Sequence, residues 1–437
     1  MKPFVEIGFM PEAMSVKPKP YRHFWKPGDP YNDIYTGWTY PPKDYRKWGE
    51  LIYRWVLHSV ERYGQKEVES WYWEVWNEPD IKYWSGTFEE FCTLYDYAAD
   101  AVKRALPEAR IGGPETTNPG SPNAQKFLVQ FLEHCSTGVN YATGKTGSPL
   151  DFISFHAKGS PQFINGMVRM NMGVQLNHIK QGFAIVAEHP KYKNLPIVIG
   201  ECDPEGCAAC GMTVYPQNGY RNGTMYSSYT ASSFAKIYDL AFHYGVNLLG
   251  IVSWSFEFEN QPWFHGFRDL ATNGVGKPVL NVFRMLGQMG NTRVEALSDG
   301  SKNWQEIIES GVRDERPDIG VLATPCNNGA AILFWNYHDD DKTAPDVDIN
   351  LFISGLNTRK AKILQYRIDQ NHSNAYEAWK KMGAPQNPDS LQYTVLENEG
   401  KLHTFGKPVK MKVKNGCLSI NTTIQRQGVG LLIIDTE

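Results

Sequence analysis

Long apolar runs are missing from this chain: nowhere do about eighteen apolar residues follow one another, so no segment reads as a membrane-spanning helix. Charge of one sign is missing as well. Lysine and arginine total 44 against 47 acidic residues, a net charge of −3, and no Lys/Arg-rich block occurs. That balance argues against nucleic acid or a membrane surface as the main partner. The opening Met1-Lys2-Pro3-Phe4-Val5-Glu6-Ile7-Gly8-Phe9-Met10-Pro11 has neither the apolar core nor the cleavage site of a signal peptide, so as written nothing directs export. Cysteine is sparse and odd in number, seven in all at Cys92, Cys135, Cys202, Cys207, Cys210, Cys326 and Cys417, too few for a disulfide scaffold. Cys202, Cys207 and Cys210 cluster, but no fourth Cys or His stands nearby at zinc-ligand spacing, so a local disulfide or free thiols are expected, with no metal and no cofactor. No internal repeat or low-complexity segment is evident.

What the chain has is aromatic residues and length. Aromatics make up 13% of it, with 13 Trp and 23 Tyr, and although aromatics commonly fill cores, a surplus near loops suits stacking against sugar rings. A length of 437 residues at 41% hydrophobic content exceeds one ordinary domain and leads to two. Up to about Leu286 short β-rich runs alternate with longer helical patterns, the signature of a parallel α/β architecture. Six strand candidates fall near residues 3–9, 71–76, 109–113, 151–156, 196–201 and 250–256, whereas a closed (β/α)8 barrel needs eight. Between the first two, Ile52, Trp55 and Val60 help make a helix amphipathic. Residues 12–43, rich in Pro, Tyr and Trp, read as an oversized βα loop of the kind that shapes a pocket. Further on, Thr87-Phe88-Glu89-Glu90 reads as a capping box, and Phe88, Phe91, Tyr95, Ala98, Val102 and Ala105 mark one helical face before Pro107 ends it.

Beyond about Asn291 polar and apolar residues alternate, as in Val347-Asp348-Ile349-Asn350-Leu351-Phe352-Ile353, with Asn, Asp and Gly in the turns. This predicts residues 1–290 as an α/β catalytic domain and 291–437 as an antiparallel β-sandwich. An irregular insertion, residues 372–388, interrupts the sandwich and is expected to reach back to the first domain.

Two acids stand out by position. In Trp71-Tyr72-Trp73-Glu74-Val75-Trp76-Asn77-Glu78-Pro79-Asp80 a strand-like aromatic run ends at a proline, so Glu78 sits at the C-terminal end of a strand, where barrel enzymes place catalytic groups. Glu201 closes Leu195-Pro196-Ile197-Val198-Ile199-Gly200-Glu201 in the same way. Hydrolysing an acetal needs a proton for the leaving oxygen and a nucleophile or water for the anomeric carbon, and two carboxyl groups supply both. Glu78 reads as the acid/base and Glu201 as the nucleophile, with the shorter, retaining separation expected: about 5–5.5 Å, against about 6.5–9.5 Å for inversion. The bland alternatives are a solvated turn for Glu78 and a helix cap for Glu201. Asn77 is placed to donate to a sugar 2-hydroxyl. His156, ending another strand, is read as a sugar contact against a buried, hydrogen-bonded histidine. Lys158 pairs with a uronate carboxylate or a catalytic glutamate, or is solvated. Trp254 offers a platform for a sugar ring with core packing as its competitor, and Glu259 and Asn260 follow in the adjoining loop.

At these residues the chain resembles glycoside hydrolase family 39, the group containing β-xylosidases and α-L-iduronidases. The likeness runs through Lys2–Pro11, Trp73–Asp80, Ile111-Gly112-Gly113-Pro114, residues 151–159, 199–203 and 254–260, and His372-Ser373-Asn374-Ala375-Tyr376-Glu377-Ala378-Trp379 within residues 367–385. Asn-Glu-Pro alone is shared by many barrel glycosidases; its combination with Pro3–Pro11 and Trp379-Lys380-Lys381-Met382-Gly383 is specific. The resemblance implies a retaining exo-glycosidase built as a (β/α)8 barrel plus a β-sandwich. By position it implies Glu78 as acid/base, Glu201 as nucleophile, and Asn77, His156, Trp254 and Glu259 as substrate contacts. The acid/base of such barrels ends strand four, yet one candidate precedes Glu78 here, so the first two βα units are expected to be lacking, with a gap between the first and last strands. The full-length form is then secreted or periplasmic. His156-Ala157-Lys158-Gly159 leans toward iduronidases and Trp254-Ser255-Phe256 toward xylosidases. The expected activity is β-xylosidase-like on an oligosaccharide or other glycoside, with uronide or galactoside cleavage as the enzymatic alternative and an inactive, carbohydrate-binding barrel remnant as the non-enzymatic one.

Overall fold

A computed structural model describes residues 2–22, 35–255, 258, 260–326 and 328–436. Its contacts divide the chain into two compact units, one of Met1–Lys158, Asn177–Asp203 and Tyr238–Trp254, the other of Gly159–Leu176, Pro204–Ile237 and Ser255–Glu437. Among the described residues no helix is long and apolar enough to cross a membrane.

The first unit is organised by six parallel strands: β1 (Phe4–Ile7), β2 (Tyr72–Val75), β3 (Arg110–Thr116), β4 (Phe152–Phe155), β5 (Pro196–Ile199) and β6 (Asn247–Ile251), hydrogen-bonded in that order. Register runs Ile7↔Val75, Tyr72↔Arg110, Gly112↔Phe152, Ile153↔Ile197 and Pro196↔Asn247. The middle strands are buried nearly throughout, as parallel strands covered on both faces must be. β1 and β6, at the two ends of the order, are partly exposed, and among the described residues they share no register. Gly112 is required by packing, since a Cβ there would lie 2.4 Å from the Phe152 carbonyl oxygen.

Helices α1 (Tyr45–Tyr63), α2 (Phe88–Ala105), α3 (Pro122–Thr137), α4 (Met172–Glu188) and α5 (Thr224–Tyr244) alternate with these strands. The capping box at α2 forms: the Glu90 N–H donates to Thr87 Oγ1 at 3.1 Å, and the Thr87 N–H donates back to Glu90 Oε2 at 2.7 Å. Its expected face buries Phe91, Tyr95, Ala98 and Val102, each large side chain contributing about 1.5–3 kcal/mol. In α1 the buried stripe is Trp48, Ile52, Val56 and Ser59. Trp55, expected on that stripe, is 40% exposed and meets Trp73 edge to face instead.

In the second unit the alternating pattern becomes two antiparallel sheets. Strands β7 (Asp318–Cys326), β8 (Gly329–Tyr337), β9 (Val347–Ile353), β10 (Lys360–Ile368), β11 (Val409–Lys412), β12 (Leu418–Ile424) and β13 (Val429–Asp435) pair as β7-β8-β13-β10-β11 and β9-β12. Ile332, Phe334, Ile363, Leu432 and Ile434 of the larger sheet and Leu418, Ile420 and Ile424 of the smaller share one core. The insertion at 372–388 is more regular than its composition suggests. Asn374 caps α6 (Ala375–Lys381), and Asp389 caps α7 (Ser390–Glu399). Ala375 and Leu396 share a core with Trp263 and Phe264, against which Tyr376 and Trp379 also pack. Of the clustered cysteines, Cys207 and Cys210 form a disulfide, while Cys202 is a buried thiol.

Candidate active site

The Asn-Glu-Pro turn is delivered by the end of β2 and pinned to the end of β3. Trp76 and Glu78 both adopt the left-handed region, at φ 74° and 46°, and so does Glu115 on β3 at φ 53°. For residues with a Cβ this costs about 1–3 kcal/mol each, and such strain persists where the surroundings over-determine it. The surroundings here do. The Glu78 N–H donates to the Glu115 carbonyl at 2.9 Å, and the Trp76 indole N–H to the Tyr83 carbonyl at 2.9 Å. Asp80 accepts the Thr117 N–H at 2.8 Å and the Thr117 hydroxyl.

On this frame the two strand-end acids converge. One ligand atom each from Glu78, His156 and Glu201 lies within 4.8 Å of the other two. His156, 1% exposed, has Nδ1 2.8 Å from Glu78 Oε1 and 3.8 Å from Glu201 Oε2, and Nε2 2.7 Å from Glu115 Oε1. The Lys158 ammonium donates to Glu201 Oε2 at 2.6 Å and to Asp203 Oδ2 at 3.0 Å. Asp203, fully buried, also accepts the Ser253 hydroxyl at 2.5 Å and the Trp254 N–H at 3.1 Å. Each glutamate of the pair therefore has its own cationic or donor partner.

Burial presses the His156 ring to shed its proton, but the charges of Glu201 and Glu115, with hydrogen bonds to Glu115 and Glu78, outweigh it and hold the pKa well above the usual range. Glu74 moves the other way in charge. Its carboxyl is pushed well above the usual range by burial and then by the neighbouring Glu115. Glu6 shifts upward by the same two causes, although its side chain is exposed and water offsets part of the desolvation.

Gly200, just before Glu201, leaves the space that Glu115 occupies: a Cβ at residue 200 would fall 1.5 Å from Glu115 Oε1. That oxygen ends a flexible side chain, so it can move without the backbone, but only by abandoning His156. We expect Gly200→Ala to cost about 1–3 kcal/mol, the penalty for unpairing a buried polar group, measurable as a lower urea midpoint at unchanged m. An unchanged midpoint would contradict this geometry.

Glu78 and Glu201 are thus brought together with His156 and Lys158. Lys158 is neither solvated nor open; it is buried against Glu201 and Asp203. Asn77 Oδ1 is buried with no hydrogen-bond partner among the described residues. Trp254 is 42% exposed, and Glu259 lies outside the described residues. Sequence reasoning missed Glu115, Glu74, Glu6 and Asp203. Glu115 had a signal, because it too is an acid near a strand's C-terminal end. The Glu78, His156 and Glu201 atoms are near enough to hold a cation, and the Lys158 ammonium beside Glu201 supplies positive charge there.

Comparison with known proteins adds the family. A β-xylosidase of Caldicellulosiruptor saccharolyticus is 29% identical over 421 residues, covering 92% of this chain and 74% of that protein. The Mus musculus α-L-iduronidase is 28% identical over 370 residues, covering 79% of this chain and 55% of the relative. In fold the chain is similar to a monomeric β-xylosidase from Caulobacter crescentus CB15, with a TM-score of 0.74 at 21% identity, over 100% of this chain and 81% of that one. This is a TIM-barrel type of α/β fold accompanied by an all-β sheet. Residues 1–412 match the glycosyl hydrolases of family 39, and the chain therefore belongs to that family and is a glycosidase, a hydrolase of O-glycosyl bonds acting on a carbohydrate substrate.

Proposed function

We propose that this glycosidase removes terminal sugars with retention of anomeric configuration, with β-xylosidase-like specificity, using Glu78 as acid/base and Glu201 as nucleophile. The observation that carries the reading is the approach of the two carboxylates, with an oxygen of each within 4.8 Å of the other. That fits the retaining separation of about 5–5.5 Å and falls short of the roughly 6.5–9.5 Å that leaves room for an inverting water. The Lys158 ammonium at 2.6 Å favours the charged carboxylate a nucleophile must be. The partnerless Asn77 Oδ1 and the exposed face of Trp254 support these two as sugar contacts. Glu259 is proposed as a further contact from its place in the chain. His156, both of whose nitrogens face carboxylates, serves through them.

The domain reading is part of the same proposal. Residues 1–290 form the catalytic barrel, in which β1–β6 stand for its last six strands, and residues 291–437 form a β-sandwich. The outer edges of β1 and β6, which pair with no further strand among the described residues, and the core shared by the two antiparallel sheets support it. The Cys207–Cys210 disulfide supports a secreted or periplasmic location, since disulfides persist in oxidising compartments. Cleavage of uronides is the second reading, favoured by the ammonium of Lys158 within the site.

The test is hydrolysis of aryl β-xylosides beside aryl α-L-iduronides, with the first-formed anomer followed by NMR. We expect the xyloside to be preferred and β-xylose to appear first. Initial α-xylose would overturn retention, and preference for the iduronide would overturn the specificity.

A further inference from the structure

We propose that Glu115 is a positioning residue for the reaction: ionised, it accepts the Nε2–H of His156 and so holds the ring doubly protonated, with its Nδ1–H aimed at Glu78. The inference rests on the reading of Glu78 as acid/base and deepens it. Three observations carry it. First, His156 is 1% exposed and has a carboxylate oxygen within 2.8 Å of each ring nitrogen. A neutral imidazole has one N–H and one lone pair, so with both carboxylates ionised it would turn the lone pair on an acceptor. Second, Glu115 is itself buried, with its carboxylate in the space that Gly200 leaves and its carbonyl accepting the Glu78 N–H at 2.9 Å, so it contacts the acid/base through backbone and through His156. Third, the neighbouring acid Glu74 is buried, and burial together with the charge of Glu115 pushes its carboxyl well above the usual range.

The groups facing this relay come from five strands or the turns that follow them. They are Glu6 of β1, Glu74 of β2 with Glu78 and Tyr83 beyond it, Glu115 of β3, and His156 and Lys158 after β4, with Glu201 and Asp203 after β5. Of these, His156 and Lys158 supply the positive charge. Removing the Glu115 charge takes away a cause that raises the His156 pKa, so the ring loses its second proton at lower pH. The positive charge beside Glu78 is then weakened. The alkaline limb of kcat/KM moves up.

The experiment uses 15N-histidine-labelled protein, with the His156 signals assigned by the variant His156→Gln. In the parent at pH 7 both ring nitrogens are expected to be protonated, and in Glu115→Gln only one. The alkaline limb of kcat/KM is expected to rise in that variant by about one pH unit or more, the effect of one close opposite charge. A parent ring carrying a single proton at pH 7 would overturn the proposal, and this needs neither a stable variant nor any activity. A folded Glu115→Gln variant with the limb unmoved and both nitrogens still protonated would overturn it as well. If no glycoside is cleaved, the functional reading fails while the ring titration still decides the role of Glu115.

Discussion

Glu201→Gln will lose on the order of 10⁴-fold or more in kcat, whatever the leaving group, because it removes the atom that must bond to the anomeric carbon. Glutamine keeps the shape and a carbonyl acceptor, and Asp203 remains at 3.0 Å to hold the Lys158 ammonium, so the fold survives. The loss is therefore chemical. In Glu201→Gly, which opens the space that glutamine still fills, added azide attacks the β-glycoside from the opposite face, which makes the α-glycosyl azide the expected product. The measurement is single-turnover release from an activated aryl β-xyloside with and without azide. Release as fast as in the parent, or a β-azide, would remove Glu201 from the nucleophile's role.

Glu78→Gln will separate substrates by how much they need a proton. For xylobiose, whose departing alkoxide is a strong base, kcat/KM falls about 10²–10⁴-fold, the usual contribution of general acid catalysis. For a dinitrophenyl β-xyloside, whose leaving group departs unprotonated, kcat/KM stays close to the parent's. The second step lacks its general base in both cases, so kcat is low and azide restores it by giving the β-azide. Equal losses on both substrates would mean that Glu78 orients the sugar rather than protonates it. His156 sits 2.8 Å from this carboxylate, and the variant leaves that contact an acceptor in the amide oxygen.

Strand-end acids were the legible part of this site because they obey a local rule. β2 ends where Pro79 forbids a ladder, β5 ends before Gly200, and an acid follows each. The partners of those acids depend on register, which no local pattern contains. Lys158 meets Glu201 because β4 and β5 run in parallel with Phe155 beside Ile199. Glu115 escaped because Gly112, Gly113 and Pro114 look like a strand's end, whereas β3 runs on to Thr116. In α1 the large aromatic Trp55 drew attention from Val56, which takes the buried position. In the insertion, Gly383, Pro385 and Pro388 suggested irregular chain, yet they punctuate two short capped helices. The alternation of strands and helices was readable, since two of the helices between successive strands showed an apolar face and one of them a capping box as well.

The void beside Gly200 ties two distant positions into one inherited choice. While residue 115 is a glutamate turned toward His156, residue 200 leaves glycine only at the cost of that contact, and it regains its freedom in a lineage that has first shortened residue 115. Directed-evolution libraries that randomise the neighbourhood of Glu201 alone will therefore keep returning glycine, and variation that changes the acidity of this enzyme must sample both sites together.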